Sequence, residues 1–150
     1  MATTGWGRFT RTDMQKAVTN IAVVGTYTTA FLSLHTGNPG DDGQTANEVT
    51  TTTSGYARQT LTWTVAAYTS VSADGPAVAS NSNAISFGPS TGANAAWGTI
   101  THMGIWSASS GTTETTFRGR VAASVSQSVS GSGVTITVAI GAVAINLTPT

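Results

Sequence analysis

The stretch Ala30–Gly43, AFLSLHTGNPGDDG, reads as a strand that runs into a wide polar turn. Leu32 and Leu34 alternate with Ser33 and His35, the period-two pattern of a strand with one buried face. Gly37, Asn38, Pro39, Gly40, Asp41, Asp42 and Gly43 follow without a large apolar residue among them. Glycine supplies positive φ, proline presets φ near about −65°, and Asn and Asp side chains bond their own backbone, so the turn has a mechanism.

Outward from this stretch the same alternation recurs. Tyr56–Tyr68 sets Leu61, Trp63 and Val65 on one face and Thr60, Thr62 and Thr64 on the other. Ile85 and Phe87 point one way in a short strand. Trp97–Ala108 is apolar on both faces, with Ile100 and Trp106 on one and Met103 and Ile105 on the other, as in a central strand. Phe117, Val121, Ala123 and Val125 alternate along the next strand, with Arg118 and Arg120 on its outer face. Val134–Ile140 and Val143–Leu147 then close a β-meander over residues 125–147. Leu61, Trp63, Val65, Phe87, Ile136 and Val138 are the expected core. About seven short strands with turn signals every 8–12 residues or so predict a mainly β chain, a single-domain β-sandwich or small barrel.

One segment has helical rather than strand period. Over Thr12–Val24, Met14, Ala17, Val18, Ile21 and Ala22 share a face, Thr12 and Gln15 have capping-box spacing, and Gly25 follows. The expected organisation is an N-terminal arm over 1–11 and one β-rich domain over 12–150 that includes an α-helix over 12–24. Trp6 lies between Gly5 and Gly7, and Arg8, Phe9 and Arg11 follow it. Aromatic side chains and arginine dominate interface hot spots, so Trp6, Arg8, Phe9 and Arg11 are the candidate partner-binding residues.

The chain has 150 residues, the size of one domain. Charged residues are 8% of it and the formal net charge is +0, so no global field draws nucleic acid or an anionic membrane. Near-zero net charge favours association. Thr and Ser fill the gap at roughly 30% of residues, and Thr suits a pleated, half-exposed surface. Cysteine is absent, which excludes disulfides, thiolate metal sites and a cysteine nucleophile. The opening MATTGWGRFTRTD has no apolar run of the kind a Sec-type leader needs. No apolar run approaches the length of a membrane span.

Residues that could carry chemistry are few. His35 and His102 are the two histidines, and no GxSxG or HExxH pattern occurs. No catalytic, cofactor-binding or metal-binding residue is assigned. Asp41, Asp42 and Glu48 cluster in a glycine-bearing loop whose spacing does not match an EF-hand, and their expected role is turn geometry. The residues therefore point away from an enzyme.

The blocks LSLHTGNPGDDG (Leu32–Gly43), NEV (Asn47–Val49), YARQ (Tyr56–Gln59), ISFGP (Ile85–Pro89) and WGTITHMGIW (Trp97–Trp106) occur in that order. In these blocks the chain resembles a family of small tailed-bacteriophage virion proteins, commonly labelled tail fibre protein or structural protein. The resemblance covers roughly Phe31–Leu147 and not the first thirty residues. It implies a non-enzymatic structural protein of the virion, made in the host cytoplasm and without a cofactor. The partners it implies are other virion proteins, the major capsid protein or tail proteins, together with further copies of the chain in a homo-oligomer such as a trimer. A one-domain unit with a helix and an arm fits a capsid (head) decoration protein. The alternatives are a tail fibre or tail-tip protein engaged in host adsorption, and a carbohydrate-binding module with Trp6, Trp63, Trp97 and Trp106 as its stacking platform.

Overall fold

The computed structural model of the chain describes residues 4–7, 30–43, 45–65 and 77–147. Within them the protein is mainly β. The strands are β1 (Thr4–Trp6), β2 (Ala30–His35), β3 (Gln59–Leu61), β4 (Trp63–Val65), β5 (Ala77–Asn81), β6 (Ile85–Phe87), β7 (Gly98–Trp106), β8 (Phe117–Val129), β9 (Ile136–Val138) and β10 (Ala144–Leu147). Single 3₁₀ turns occupy Thr45–Asn47 and Glu114–Thr116. The helix expected over 12–24 lies outside the described residues.

Three open sheets result. The largest has the order β1-β8-β7-β2-β3, a second has β10-β5-β4, and β6 pairs with β9. All the pairings are antiparallel. β7 sits in the middle of the five-stranded sheet, as its two apolar faces predict. Leu32 and Leu34 from β2, Ile85 and Phe87 from β6, and Ile136 and Val138 from β9 join one hydrophobic cluster with Leu61 and Ile100. Tyr56 stacks on Phe87 with ring centroids 6.0 Å apart and meets the edge of Trp97 at 5.8 Å.

Of the expected core, Leu61, Phe87, Ile136 and Val138 are buried. Trp63 packs only partly against the cluster, and the side chain of Val65 lies outside the described residues. Among the described tryptophans Trp106 is fully buried.

The alternation over Tyr56–Tyr68 does not make one strand. It breaks at Thr62, and β3 and β4 belong to different sheets. The Asn83 side chain takes over at the break. Its Oδ1 accepts from the Thr62 N–H at 3.0 Å, and its amide donates to the Thr60 carbonyl at 3.0 Å. These backbone groups are satisfied by a side chain, so the strand can leave one sheet for the next.

The meander expected over 125–147 does not form either. After β8 the chain turns at Gly131, and the Ser90 hydroxyl donates to the Gly131 carbonyl at 2.7 Å. Backbone bonds from Gly133 to Ser90 (2.7 Å) and from Ser90 to Val134 (2.8 Å) complete the clasp. It hands the chain to β6 rather than back to β8. Buried Asn81 then holds the following turn, donating to the Ala139 carbonyl at 2.8 Å and accepting from the Val143 N–H at 2.9 Å, so β10 pairs with β5.

A third departure concerns β8. Ile100 pairs with Gln127 and His102 with Ala122, so Thr101 alone faces the segment Ala123–Ser126. Within that bulge Val125 is exposed, against the inward position expected for it.

Candidate functional site

Strand β2 is covered on both faces. Leu32 and Leu34 enter the main cluster, and Ser33 and His35 are equally buried on the opposite side. A strand with one buried face was expected. The chain that follows the strand folds back onto Phe117, whose ring meets that of Trp106 edge-on at 4.8 Å. Pro39 and Gly43 are buried, and a Cβ on Gly43 would stand 2.5 Å from Phe117 Cγ. The turn therefore lies directly on that ring, with Gly43 at φ 66°.

Beside Trp106 is a connected set of polar groups. Arg58 meets Glu48 in a two-pronged pair, Nε to Oε1 at 2.8 Å and Nη2 to Oε2 at 2.7 Å. Both side chains are almost fully buried, at 4% and 9% exposure. The guanidinium also donates to the carbonyls of Ala108 (3.3 Å) and Gly111 (2.9 Å). Its central carbon lies 3.7 Å from the centroid of the Trp106 ring, a cation–π contact for which the planar guanidinium is well suited. Tyr56 donates to Glu48 Oε1 at 3.0 Å, and its hydroxyl accepts the Leu34 N–H at 3.0 Å. Burial first, then the Glu48 charge, push the Tyr56 hydroxyl far above its ordinary range. It stays protonated and keeps donating.

On the other side of Trp106 the indole N–H donates to Ser33 Oγ at 2.7 Å. That hydroxyl lies 2.7 Å from His35 Nε2 and donates to the Gly104 carbonyl at 3.3 Å. Burial lowers the His35 pKa from 6.5 to about 4, so the ring is neutral at pH 7. With the proton on Nε2, the ring donates to Ser33, and Nδ1 presents a bare lone pair rather than an unpaired N–H. Gly104 makes room for all of this. A Cβ there would lie 2.6 Å from Ser33 Oγ, 2.7 Å from Trp106 Nε1 and 2.9 Å from His35 Nε2.

Chemically this is a clamp. Ser33 accepts two hydrogen bonds and gives one, so its oxygen has no lone pair to spend on a substrate. No acid partners His35 Nδ1 among the described residues, and neither residue touches solvent. A serine and a histidine at hydrogen-bond distance thus lack the base, the orienting acid and the access that acyl transfer needs.

Above the clamp a cleft of about 340 Å³ opens between the Thr45–Thr51 loop and the Ser109–Thr112 turn, with Glu48 and Arg58 in its wall. Its rim is hydroxyl-rich and uncharged. Further along the turn, Asn38 Oδ1 accepts the Gly40 N–H at 2.9 Å. Asp41 pairs with Arg120, which also donates to the Gly40 carbonyl at 2.8 Å. The carboxylate therefore ties the turn to β8. Among the described residues no group of three or more acidic or histidine side chains is placed to hold a metal ion.

The sequence-derived partner residues fare unevenly. The backbone of Trp6 is the end of β1, opposite Gly119 of β8, so part of the expected arm is an edge strand. Arg8, Phe9 and Arg11 lie outside the described residues. Trp97 and Trp106 are buried and cannot form a stacking platform. Sequence reasoning missed the Glu48–Arg58 pair. The available signal was two charges, in a chain with only 8% charged residues, inside the NEV and YARQ blocks, Glu48 next to Val49 and Arg58 two residues after Tyr56.

Over residues 8–146 the chain matches the family described as podophage GP4 fiber I protein gp80. The chain belongs to this fibre family. The match spans nearly the whole sequence, well beyond the turn and the clamp, and it makes the chain a bacteriophage virion structural protein. It favours the tail-fibre reading over the head-decoration reading drawn from the sequence. Among curated proteins none matches the chain.

Proposed function

We propose that this chain is a non-enzymatic subunit of a tail-side fibre, engaged in host adsorption, and not a head ornament. The observation that carries this reading is the match to a fibre family over residues 8–146. The architecture agrees with it. Among the described residues Glu48 pairs with Arg58 and Asp41 with Arg120, and the turns are rich in Thr, Ser, Asn and Gly. We take the sheets as layers of one β-sandwich, because β2, β6 and β9 share a hydrophobic cluster.

The residues around Trp6, Arg8, Phe9 and Arg11 are proposed to attach the subunit to a neighbouring virion protein. β1 adds only three residues to the edge of β8, and the Gly7 N–H donates to the Arg118 carbonyl at 2.8 Å. Removing residues 1–11 is therefore expected to leave the sheet folded and to weaken attachment to particles lacking the protein. Equal occupancy by the truncated and intact chains would move attachment elsewhere.

Antibody–gold labelling of intact virions tests the location. Label confined to fibres at the tail is expected. Label spread over the head would restore the decoration reading.

A further inference from the structure

The cleft above the clamp is lined by hydroxyl groups that the fold does not use. Thr45, Thr51, Ser109, Ser110 and Thr112 stand in its walls, and among the described residues none of their hydroxyls has a hydrogen-bond partner within the chain. Hydroxyls close to them in sequence are engaged. Ser107 donates to the Thr116 carbonyl at 3.3 Å, Thr116 to the Thr113 carbonyl at 2.8 Å, and Thr115 to Thr113 Oγ1 at 3.3 Å. Beside the opposite wall Ser54 donates to the Thr50 carbonyl, and Thr53 Oγ1 accepts from Asn94 at 3.1 Å. The hydroxyls that hold the two segments are thus bonded, and those lining the cleft are left over.

The two walls are tied together from beneath. Glu48 stands in one, and its partner Arg58 donates to the Gly111 carbonyl of the other at 2.9 Å. The cleft therefore keeps its shape before any ligand arrives, which lowers the ordering cost of binding. The ion pair also has capacity to spare. Arg58 Nη1 donates once, to the Ala108 carbonyl, and keeps a second N–H. Glu48 Oε2 accepts from Arg58 alone and keeps a lone pair.

These groups select a class of ligand. At about 340 Å³ the cleft has the size of a small-molecule site. Val49 is the one large apolar side chain in its walls, too little to hold an apolar ligand. Glu48 and Arg58 are the charged residues there and neutralise each other, so neither an anion nor a cation finds a counter-charge. Hydroxyls both donate and accept, and the ion pair offers one of each. The complement is a compact, neutral ligand covered with groups that also do both, which is the chemistry of a sugar ring. We infer that the cleft between Thr45–Thr51 and Ser109–Thr112 binds a neutral saccharide unit. The inference deepens the adsorption reading and rests on it for the source of the saccharide. Binding is measured on the purified chain and location on particles, so either can fail without the other.

The test is a set of amide NMR correlation spectra of the full chain. Glucose, galactose and N-acetylglucosamine are the neutral probes, and glucuronate, galacturonate and glucosamine are their charged counterparts. At about 50 mM, at least one neutral probe is expected to shift the amide signals of Thr45–Thr51 and Ser109–Thr112 along a saturating curve, because a few hydrogen bonds made in water support affinity of millimolar order. Its charged counterpart is expected to bind about tenfold more weakly, since nothing offsets its loss of hydration. The triple variant Thr45→Val, Thr51→Val, Thr112→Val keeps the shape of the walls and removes their hydroxyls. It is expected to lose about tenfold in affinity with an unchanged melting temperature. Thr52→Val, exposed on the same loop and outside the cleft, is expected to bind as the parent does. No shift at these segments with any neutral probe would overturn the inference. So would equal binding of the charged counterpart, unchanged affinity in the triple variant, or an equal loss in Thr52→Val.

Discussion

Glu48 and Arg58 face each other through two hydrogen bonds of 2.8 and 2.7 Å, almost without exposure to solvent, and the same guanidinium covers the Trp106 ring. One arginine thereby connects the loop after β2, the turn after β7 and the second face of the central sheet. Replacing Arg58 by Met leaves the Glu48 carboxylate buried without its counter-charge. The expected loss is about 3–5 kcal/mol, read as a lower urea midpoint. Arg58→Lys is expected to recover little of it, because an ammonium can neither pair through two prongs nor lie flat on the indole. A midpoint within error of the parent for Arg58→Met would show that the clamp contributes nothing.

Gly104 is expected to be intolerant of even one methyl group. The Cβ of Gly104→Ala would press on Ser33, Trp106 and His35 together, for a cost of roughly 1–3 kcal/mol. Gly131→Ala is the control. Open space surrounds that position, and a change within about 0.5 kcal/mol is expected. Thermal melts of the two variants check the contrast.

His35 gives the fold a pH dependence of defined sign. Burial sets its folded pKa near about 4, against 6.5 for the free side chain. Between those values the unfolded chain binds the extra proton. The contribution of neutral His35 is full above pH 6.5 and declines as the pH falls toward about 4, with a slope approaching ~1.4 kcal/mol per pH unit. His102 is shifted the same way, by burial and then by Arg120, and adds to the trend. Urea unfolding from pH 7 to pH 5 should show the decline, and His35→Gln should flatten it. An unchanged slope in that variant would contradict the burial argument.

The tryptophans are expected to rank by burial. Trp106 is 0% exposed, while Trp63 packs partly against the cluster. Trp106→Ala should cost about 3–5 kcal/mol, and Trp63→Ala clearly less. The reverse order in denaturant midpoints would place the core elsewhere.

The sequence made β2, its turn and the central position of β7 readable, because each carries a local signature. Alternation marks the strand, Gly-Asn-Pro-Gly marks the turn, and two apolar faces mark the centre. What it hid depends on partners far along the chain. Thr60–Thr64 alternates without interruption, yet Asn83, some twenty residues on, decides where that strand breaks. Ser90 likewise redirects the chain at Gly131, about forty residues later. Polar residues in loops read as solvent-facing, and here several are the clasps that replace strand ladders. The burial of Ser33 and His35 was concealed for the same reason. They meet Trp106 and Gly104, some seventy residues on, and the polar turn that follows them gives no hint that it folds back onto Phe117. The clamp was thus legible only as two scarce charges in short blocks, while the family was legible from the blocks themselves.

This fibre-family chain is proposed to serve on the tail side of the particle. The most direct measurement of this is copy number in purified virions, by quantitative mass spectrometry against the major capsid protein. A small number of copies per particle, far below the capsid subunits, is expected. An abundance comparable to the capsid protein would contradict the account and return the chain to the surface of the head.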